Sequence, residues 1–192
     1  MTEDPSAALR DARAGVVADR GVTGAALREA LTDVADGWLA DRLGDTEGVA
    51  LVAVGGYGRR EPASGSDLDL VLLHRDGVDV EDLANSIWYP VWDAGVGLDH
   101  SVRTVDEAVA VAREDLKAML GMLDARHVAG EEPLTVALRE LIFATWRRDA
   151  RRRLPELVEA VQDRGERVGE LAFLLEPDLK DARGGIRDVH AM

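Results

Sequence analysis

The 192-residue sequence has no cysteine, which excludes disulfides, thiolate nucleophiles and cysteine-ligated zinc or iron–sulfur sites. It also lacks any apolar run near the ~20 residues that a membrane-spanning helix needs, and Met1 to Arg20 carry acids where a secretion signal would be apolar. A cytoplasmic protein without a membrane partner is expected. Basic residues are outnumbered: 23 Lys and Arg stand against 37 Asp and Glu, a net charge of -14. That balance leaves no general surplus of cation for a phosphate backbone, so nucleic acid is not an expected partner. The basic run Arg147 to Arg153 reads as the solvated face of a helix. The four histidines (His74, His100, His127 and His190) share no metal-ligand spacing, which argues against a hydrolase built on histidine-bound metal.

What is present suits a folded chain. A hydrophobic content of 46% can fill the core of one compact domain with a helical extension. After a frayed start at Met1 to Asp4, the spacing of Leu27, Leu31, Val34, Trp38 and Leu39 predicts a long opening helix up to Gly44. Gly48 to Val54 and Asp67 to Leu73 read as strands joined by a polar loop, Tyr57 to Ser66. Val80 to Ala94 reads as a helix that Pro90 kinks or ends, and Leu98 to Val102 as a third strand. Thr104 and Glu107 form a capping box that starts a helix at Val105. From there to about Leu175 the spacing is helical, broken at Gly130 to Pro133 and near Pro155, and the tail Glu176 to Met192 reads as a structured loop.

The densest chemistry runs from Val54 to Leu70, V-G-G-Y-G-R-R-E-P-A-S-G-S-D-L-D-L. Asp67 and Asp69 are two apart on a strand, so their carboxylates leave one face and can share a cation, in outline a Mg²⁺ site. Gly55 and Gly56 let backbone N–H groups approach a triphosphate closely, with Ser66 beside them as a further nucleotide contact. The guanidinium forks of Arg59 and Arg60 suit phosphate. Taken singly, D-L-D-L also suits a half-exposed strand and G-G-Y-G a plain turn; joined by a short loop, they face one cleft. A dinucleotide fingerprint would need a glycine where Glu61 stands, and a P-loop needs a Gly-Lys-Ser/Thr that is absent.

G-G-Y-G-R-R-E followed by S-D-L-D-L resembles the signature of the DNA polymerase β-like nucleotidyltransferase superfamily, in the form found in the bifunctional protein-PII uridylyltransferase/uridylyl-removing enzymes. Residues 89 to 104, Leu123 to Gly130 (L-D-A-R-H-V-A-G) and Glu176 to His190 (E-P-D-L-K-D-A-R-G-G-I-R-D-V-H) resemble the same family in the same order. Pro62 and Ser64 depart from the Leu and Pro usual there. The resemblance implies an α+β fold: a small mixed sheet backed by helices, with an N-terminal extension at 1–22, a nucleotidyltransferase core at 23–113 and a helical segment at 114–192.

It further implies that Asp67 and Asp69 hold Mg²⁺, that Gly55 and Gly56 hold the β- and γ-phosphates of UTP or ATP, and that a tyrosine of a PII signalling protein displaces pyrophosphate. A third carboxylate is expected from a neighbouring strand: Asp99, with Asp93 and Glu176 as rivals. His100, Arg103, Lys180, Arg183 and Arg187 sit in family-like segments as further contacts for the nucleotide, or as structural ion pairs. The family continues into a phosphohydrolase domain and glutamine-sensing domains that these residues lack, so a truncated chain is expected. A different acceptor, or a noncatalytic module that binds nucleotide without turnover, are the competing readings.

Overall fold

The computed structural model describes residues 4–191; the expected fraying of Met1 to Glu3, and Met192, lie outside them. Asp4 itself is ordered as a helix cap: its carboxylate accepts the Ser6 amide at 3.0 Å. The single opening helix expected up to Gly44 is two helices, α1 (Pro5–Ala18) and α2 (Gly24–Leu43). The break has a local cause. Asp19 accepts the Gly21 amide at 2.8 Å, and Gly24 takes a φ of +60°, which an L side chain rarely adopts.

The chain then forms β1 (Val49–Ala53), a short helix α3 (Gly55–Gly58), β2 (Leu68–His74), α4 (Glu81–Asp93) and β3 (Leu98–Arg103). The helix α5 (Val105–Glu114) starts at the expected capping box, with Thr104 and Glu107 bonded reciprocally at 2.8 and 3.2 Å. Accepting the Thr104 amide holds the Glu107 carboxyl below its ordinary range. Next come α6 (Leu116–Leu123), β4 (Arg126–Gly130), α7 (Glu132–Val168), a 3₁₀ turn at Leu171–Phe173 and α8 (Ile186–His190).

Several expectations are corrected. Tyr57 does not open a loop, since the glycine segment winds into α3. Pro90 sits inside the last turn of α4, where it removes only one ladder bond, and the helix runs on to Asp93. Pro155 lies within α7 without ending it. The stretch expected to be wholly helical contains β4, whose pairing partner is the open side of β1.

The four strands lie in the order β3-β2-β1-β4, with β1 antiparallel to β2 and β4 and β2 parallel to β3. This is the expected small mixed sheet of an α+β fold. One face carries Val49, Leu51, Ala53, Leu68, Leu70 and Leu72, buried in a single core with Leu9 of α1, Leu39 of α2 and Ile87 of α4. The other face buries Ala50, Val52, Val71 and Leu73, while α5 packs on β3 and α6 packs on α3 and α5. Around the first residues of β2 and β3 the sequence places Asp67, Asp69 and Asp99 among apolar neighbours.

The chain divides into two compact units, Met1–Ala144 and Thr145–Met192. Within the second, Arg164 pairs with Asp188, which also accepts the Gly184 amide at 2.6 Å, and Glu170 and Arg183 form an isolated β-bridge. The expected tail loop therefore contains ordered turns and α8. No helix among the described residues is long and apolar enough to cross a membrane.

Two glycines make opposite predictions. A Cβ on Gly58 would lie 2.3 Å from the Asp124 carbonyl oxygen and 3.1 Å from that of Ala53, both backbone, whereas a Cβ on Gly37 in α2 meets nothing within 4 Å. We expect Gly58→Ala to destabilise by about 1–3 kcal/mol or more, and Gly37→Ala to stabilise by up to about 1 kcal/mol. Urea unfolding midpoints of the two variants check both signs.

Candidate functional site

Alternation along β2 sets the site. Leu68 and Leu70 enter the core, so Asp67 and Asp69 leave the opposite face, Asp67 exposed and Asp69 half-buried. The parallel register pairs Asp69 with Asp99 of β3, and residues paired in this way point to the same side of the sheet. All three carboxylates therefore share one face at one end of the β2–β3 pair. Of the two rivals for the third carboxylate, Asp93 is the last residue of α4, and Glu176 belongs to the second unit.

Two glycines shape the surroundings of these acids. Gly55 has a φ of +54°, and a Cβ there would approach the Asp69 Oδ2 to 3.2 Å. The Val54 amide bonds the Asp69 carbonyl at 3.0 Å, so the end of β1 and the start of α3 are held directly against the Asp69 residue. Gly97 makes room for the other acid: a Cβ there would fall 1.8 Å from the Asp67 Oδ1, while its carbonyl accepts the Leu68 amide at 2.8 Å. Gly56 differs from both. Its φ lies outside the left-handed region and a Cβ would meet only the Arg59 guanidinium, at 3.9 Å. The fold itself places no steric demand for glycine at that position.

The turn after α3 closes as a Schellman motif, with the Arg60 amide on the Tyr57 carbonyl at 3.1 Å and the Glu61 amide on the Gly56 carbonyl at 2.9 Å. This places Arg60 at φ +60°, a position usually held by glycine, and its guanidinium pairs with Asp33 and lies 3.6 Å from Asp36. Arg59 pairs with Asp124 and, at 2.9 Å, with Glu61. Both arginines expected on phosphate thus have carboxylate partners. Ser66 closes its own turn, its hydroxyl accepting the Ala63 amide at 2.9 Å.

Beneath α3 lies a polar network that the sequence reading did not single out. Tyr57, 1% exposed, donates its hydroxyl to Asp36 Oδ1 at 2.6 Å. Burial, with the Asp36 charge beside it, pushes that hydroxyl well above the ordinary tyrosine range. Arg126 of β4 grips the same carboxylate with two nitrogens at 2.6 and 3.1 Å, donates to the Gly58 carbonyl at 3.2 Å, and stacks over the Tyr57 ring at 5.4 Å. The segment L-D-A-R-H-V-A-G was the available signal, since it supplies both Asp124 and Arg126; Asp36 had none.

The remaining candidates have surroundings of their own. His100 faces away from Asp99 and packs between Trp88 and Trp92, ring centres 5.0 and 5.3 Å away. Arg103 ends β3. Lys180, Arg183 and Arg187 belong to the second unit, where Arg183 lies 3.6 Å from Glu170 and Arg187 2.7 Å from Asp181. Among the described residues, no three His, Asp or Glu side chains converge closely enough to hold a metal ion unaided. Two hard-oxygen donors beside open glycine backbone fit an ion such as Mg²⁺, which keeps waters and takes substrate phosphates into its shell.

Comparison with known proteins assigns the family. The family profile described as GlnD PII-uridylyltransferase matches residues 137–192. A bifunctional uridylyltransferase/uridylyl-removing enzyme of Streptomyces coelicolor is 52% identical over 187 residues, 94% of this chain and 22% of that protein. The chain belongs to this family. Proteins of the same name from Mycobacterium tuberculosis and Corynebacterium glutamicum are 48% and 43% identical, over 86% and 73% of this chain and 21% and 20% of theirs. The chain therefore spans about a fifth of the length of the curated relatives it matches.

The network under α3 yields a stability prediction. Asp36→Ala strands the Arg126 guanidinium and the Tyr57 hydroxyl together; because both charged partners keep some solvent access, we expect a loss of about 2–3 kcal/mol, below that of a fully buried pair. Tyr57→Phe removes one donor and costs about 1–2 kcal/mol. Chemical unfolding of both variants measures this, and a near-neutral Asp36→Ala would show that the network does not hold α3.

Proposed function

We propose that this chain is the nucleotide-transferring part of a protein-PII uridylyltransferase-like enzyme, moving UMP or AMP from a nucleoside triphosphate to a tyrosine of a PII signalling protein, with release of pyrophosphate. The observation that carries this reading is the shared face of Asp67, Asp69 and Asp99, with the Asp69 carboxylate close to Gly55 at the start of the glycine turn. Family membership agrees with it, since the relatives are named as uridylyltransferases.

In this reading Asp67 and Asp69 hold the metal, with Asp99 beside Asp69 as the third carboxylate. Mg²⁺, when bound, supplies charge neutralisation at the phosphates. The glycine turn brings backbone N–H groups to the β- and γ-phosphates, and Gly56, which the fold leaves open, is where close approach is used. The acceptor hydroxyl is aligned with the α-phosphate, and positioning and charge supply most of the catalysis of such a transfer. Arg59, Arg60 and Ser66 contribute by fixing the turn through their own partners and, on exchange of those partners, by contacting phosphate. That pairing of both arginines also favours a second reading, a module that binds Mg²⁺-nucleotide without turnover.

Incubating the chain with Mg²⁺, a PII protein and either UTP or ATP, and following the mass of the PII protein, tests the proposal. A UMP or AMP adduct that vanishes in the folded Asp67→Asn/Asp69→Asn variant is expected. Nucleotide binding with no adduct and no pyrophosphate selects the second reading. Gly97→Ala adds a finer test: it displaces the flexible Asp67 side chain rather than backbone, so metal affinity falls by roughly 10–100-fold, as for other changes that reorient a ligand, with little change in unfolding midpoint.

A further inference from the structure

Arg13, in the helix that precedes the nucleotidyltransferase motifs, is only 7% exposed. Its Nη2 donates to the Ser64 carbonyl at 3.2 Å, across 51 residues of sequence. Its Nη1 is buried without a hydrogen-bond partner, and among the described residues no carboxylate lies within ion-pairing distance. Burial pushes its guanidinium below the ordinary arginine value, with only the buried Tyr57 acting against that shift. A buried cation without a counterion opposes folding, and an apolar side chain of equal size would serve the core better. Stability alone does not account for arginine here.

The target of the bond supplies a reason. Ser64 lies in the segment 61–66 that joins the Schellman turn of the glycine motif to Asp67. Among the described residues, the other hydrogen bonds of residues 62–66 stay within Ala63 to Ser66. Beyond the burial of Pro62, the Arg13 bond is, among the described residues, the hydrogen bond that ties residues 62–66 to the rest of the chain. Its base is firm: Leu9 is fully buried, and the Trp38 Nε1 donates to the Pro5 carbonyl at 2.9 Å, which fastens α1 to α2.

We propose that Arg13 is a positioning residue that clamps the loop between the glycine turn and the carboxylates, so that Asp67 and Gly55–Gly56 face one nucleotide. This rests on the nucleotidyltransferase reading for its consequence but not for the clamp itself. Arg13 touches neither nucleotide nor metal and acts through the Ser64 backbone. The first helix is thereby part of the working site and not an appendage to it.

The test compares the wild-type chain with Arg13→Met and Arg13→Lys by three measurements: amide hydrogen exchange across residues 62–67, the urea unfolding midpoint and the affinity for Mg²⁺-UTP or Mg²⁺-ATP. We expect the Met variant to keep or raise the midpoint while exchange in 62–67 accelerates at least about tenfold, the scale set by losing one bond from a charged donor. Nucleotide affinity falls by a similar factor, and Lys restores part of both. Unchanged exchange at 62–67 in the Met variant overturns the clamp. So does a fall in midpoint with exchange accelerated evenly throughout, which would mark Arg13 as merely structural. A wild-type chain that binds no nucleotide refutes the nucleotidyltransferase reading alone, and the exchange of 62–67 then still decides the clamp.

Discussion

The close approach of the Asp69 carboxylate to Gly55, where a Cβ would come within 3.2 Å of Oδ2, is the constraint from which the site follows. It favours glycine at the start of α3, in a left-handed conformation, at the point where β1 ends beside β2. Once β1 and β2 pair antiparallel, with Ala53 opposite Leu70, the end of one strand and the start of the other must meet there. The parallel addition of β3 then sets Asp99 beside Asp69. The site is therefore a property of sheet register, and a slip by one residue would send the carboxylates into the core and the leucines to solvent.

Holding the glycine turn in that place falls to charges drawn from distant parts of the chain. Asp36 on α2, Tyr57 on α3 and Arg126 on β4 form one connected network, and Arg59 and Arg60 engage Asp124, Glu61 and Asp33 around it. A protein of net acidic charge thus places several of its arginines under and around one short helix. Their carboxylate partners brace the turn, at the expense of cationic charge pointing outward. Preorganisation of this kind suits a transfer reaction in which geometry does most of the work.

What could be read from the sequence was what is local in it. The three strands with apolar runs, the capping box at Thr104 and the placement of Asp67 and Asp69 on one face all depend on neighbours within a few residues. The strand β4 was hidden because Arg126, His127 and Gly130 have no apolar alternation; its strand character comes from the exposed edge of β1. The break between α1 and α2 rests on Gly21 and Gly24 within an otherwise helical spacing, and Pro155 sits in a helix despite its local preference. The pairings of Arg59 and Arg60 bridge residues 65 and 27 apart, and the bond from Arg13 to Ser64 spans 51, separations at which periodicity carries no signal. The same holds for Gly97, whose need appears only once β3 lies beside β2.

Where a divalent ion binds decides whether Asp67 and Asp69 form the metal site. Mn²⁺, which shares the preference of Mg²⁺ for carboxylate, water and phosphate oxygen, can be titrated into isotope-labelled protein in the presence of nucleotide while backbone amide resonances are followed. Broadening that begins at Gly55, Gly56, Asp67, Asp69 and Asp99 is the predicted result. Broadening that begins at another acidic surface, such as Asp79, Glu81 and Asp82 at the start of α4, with those five amides unaffected, would contradict it.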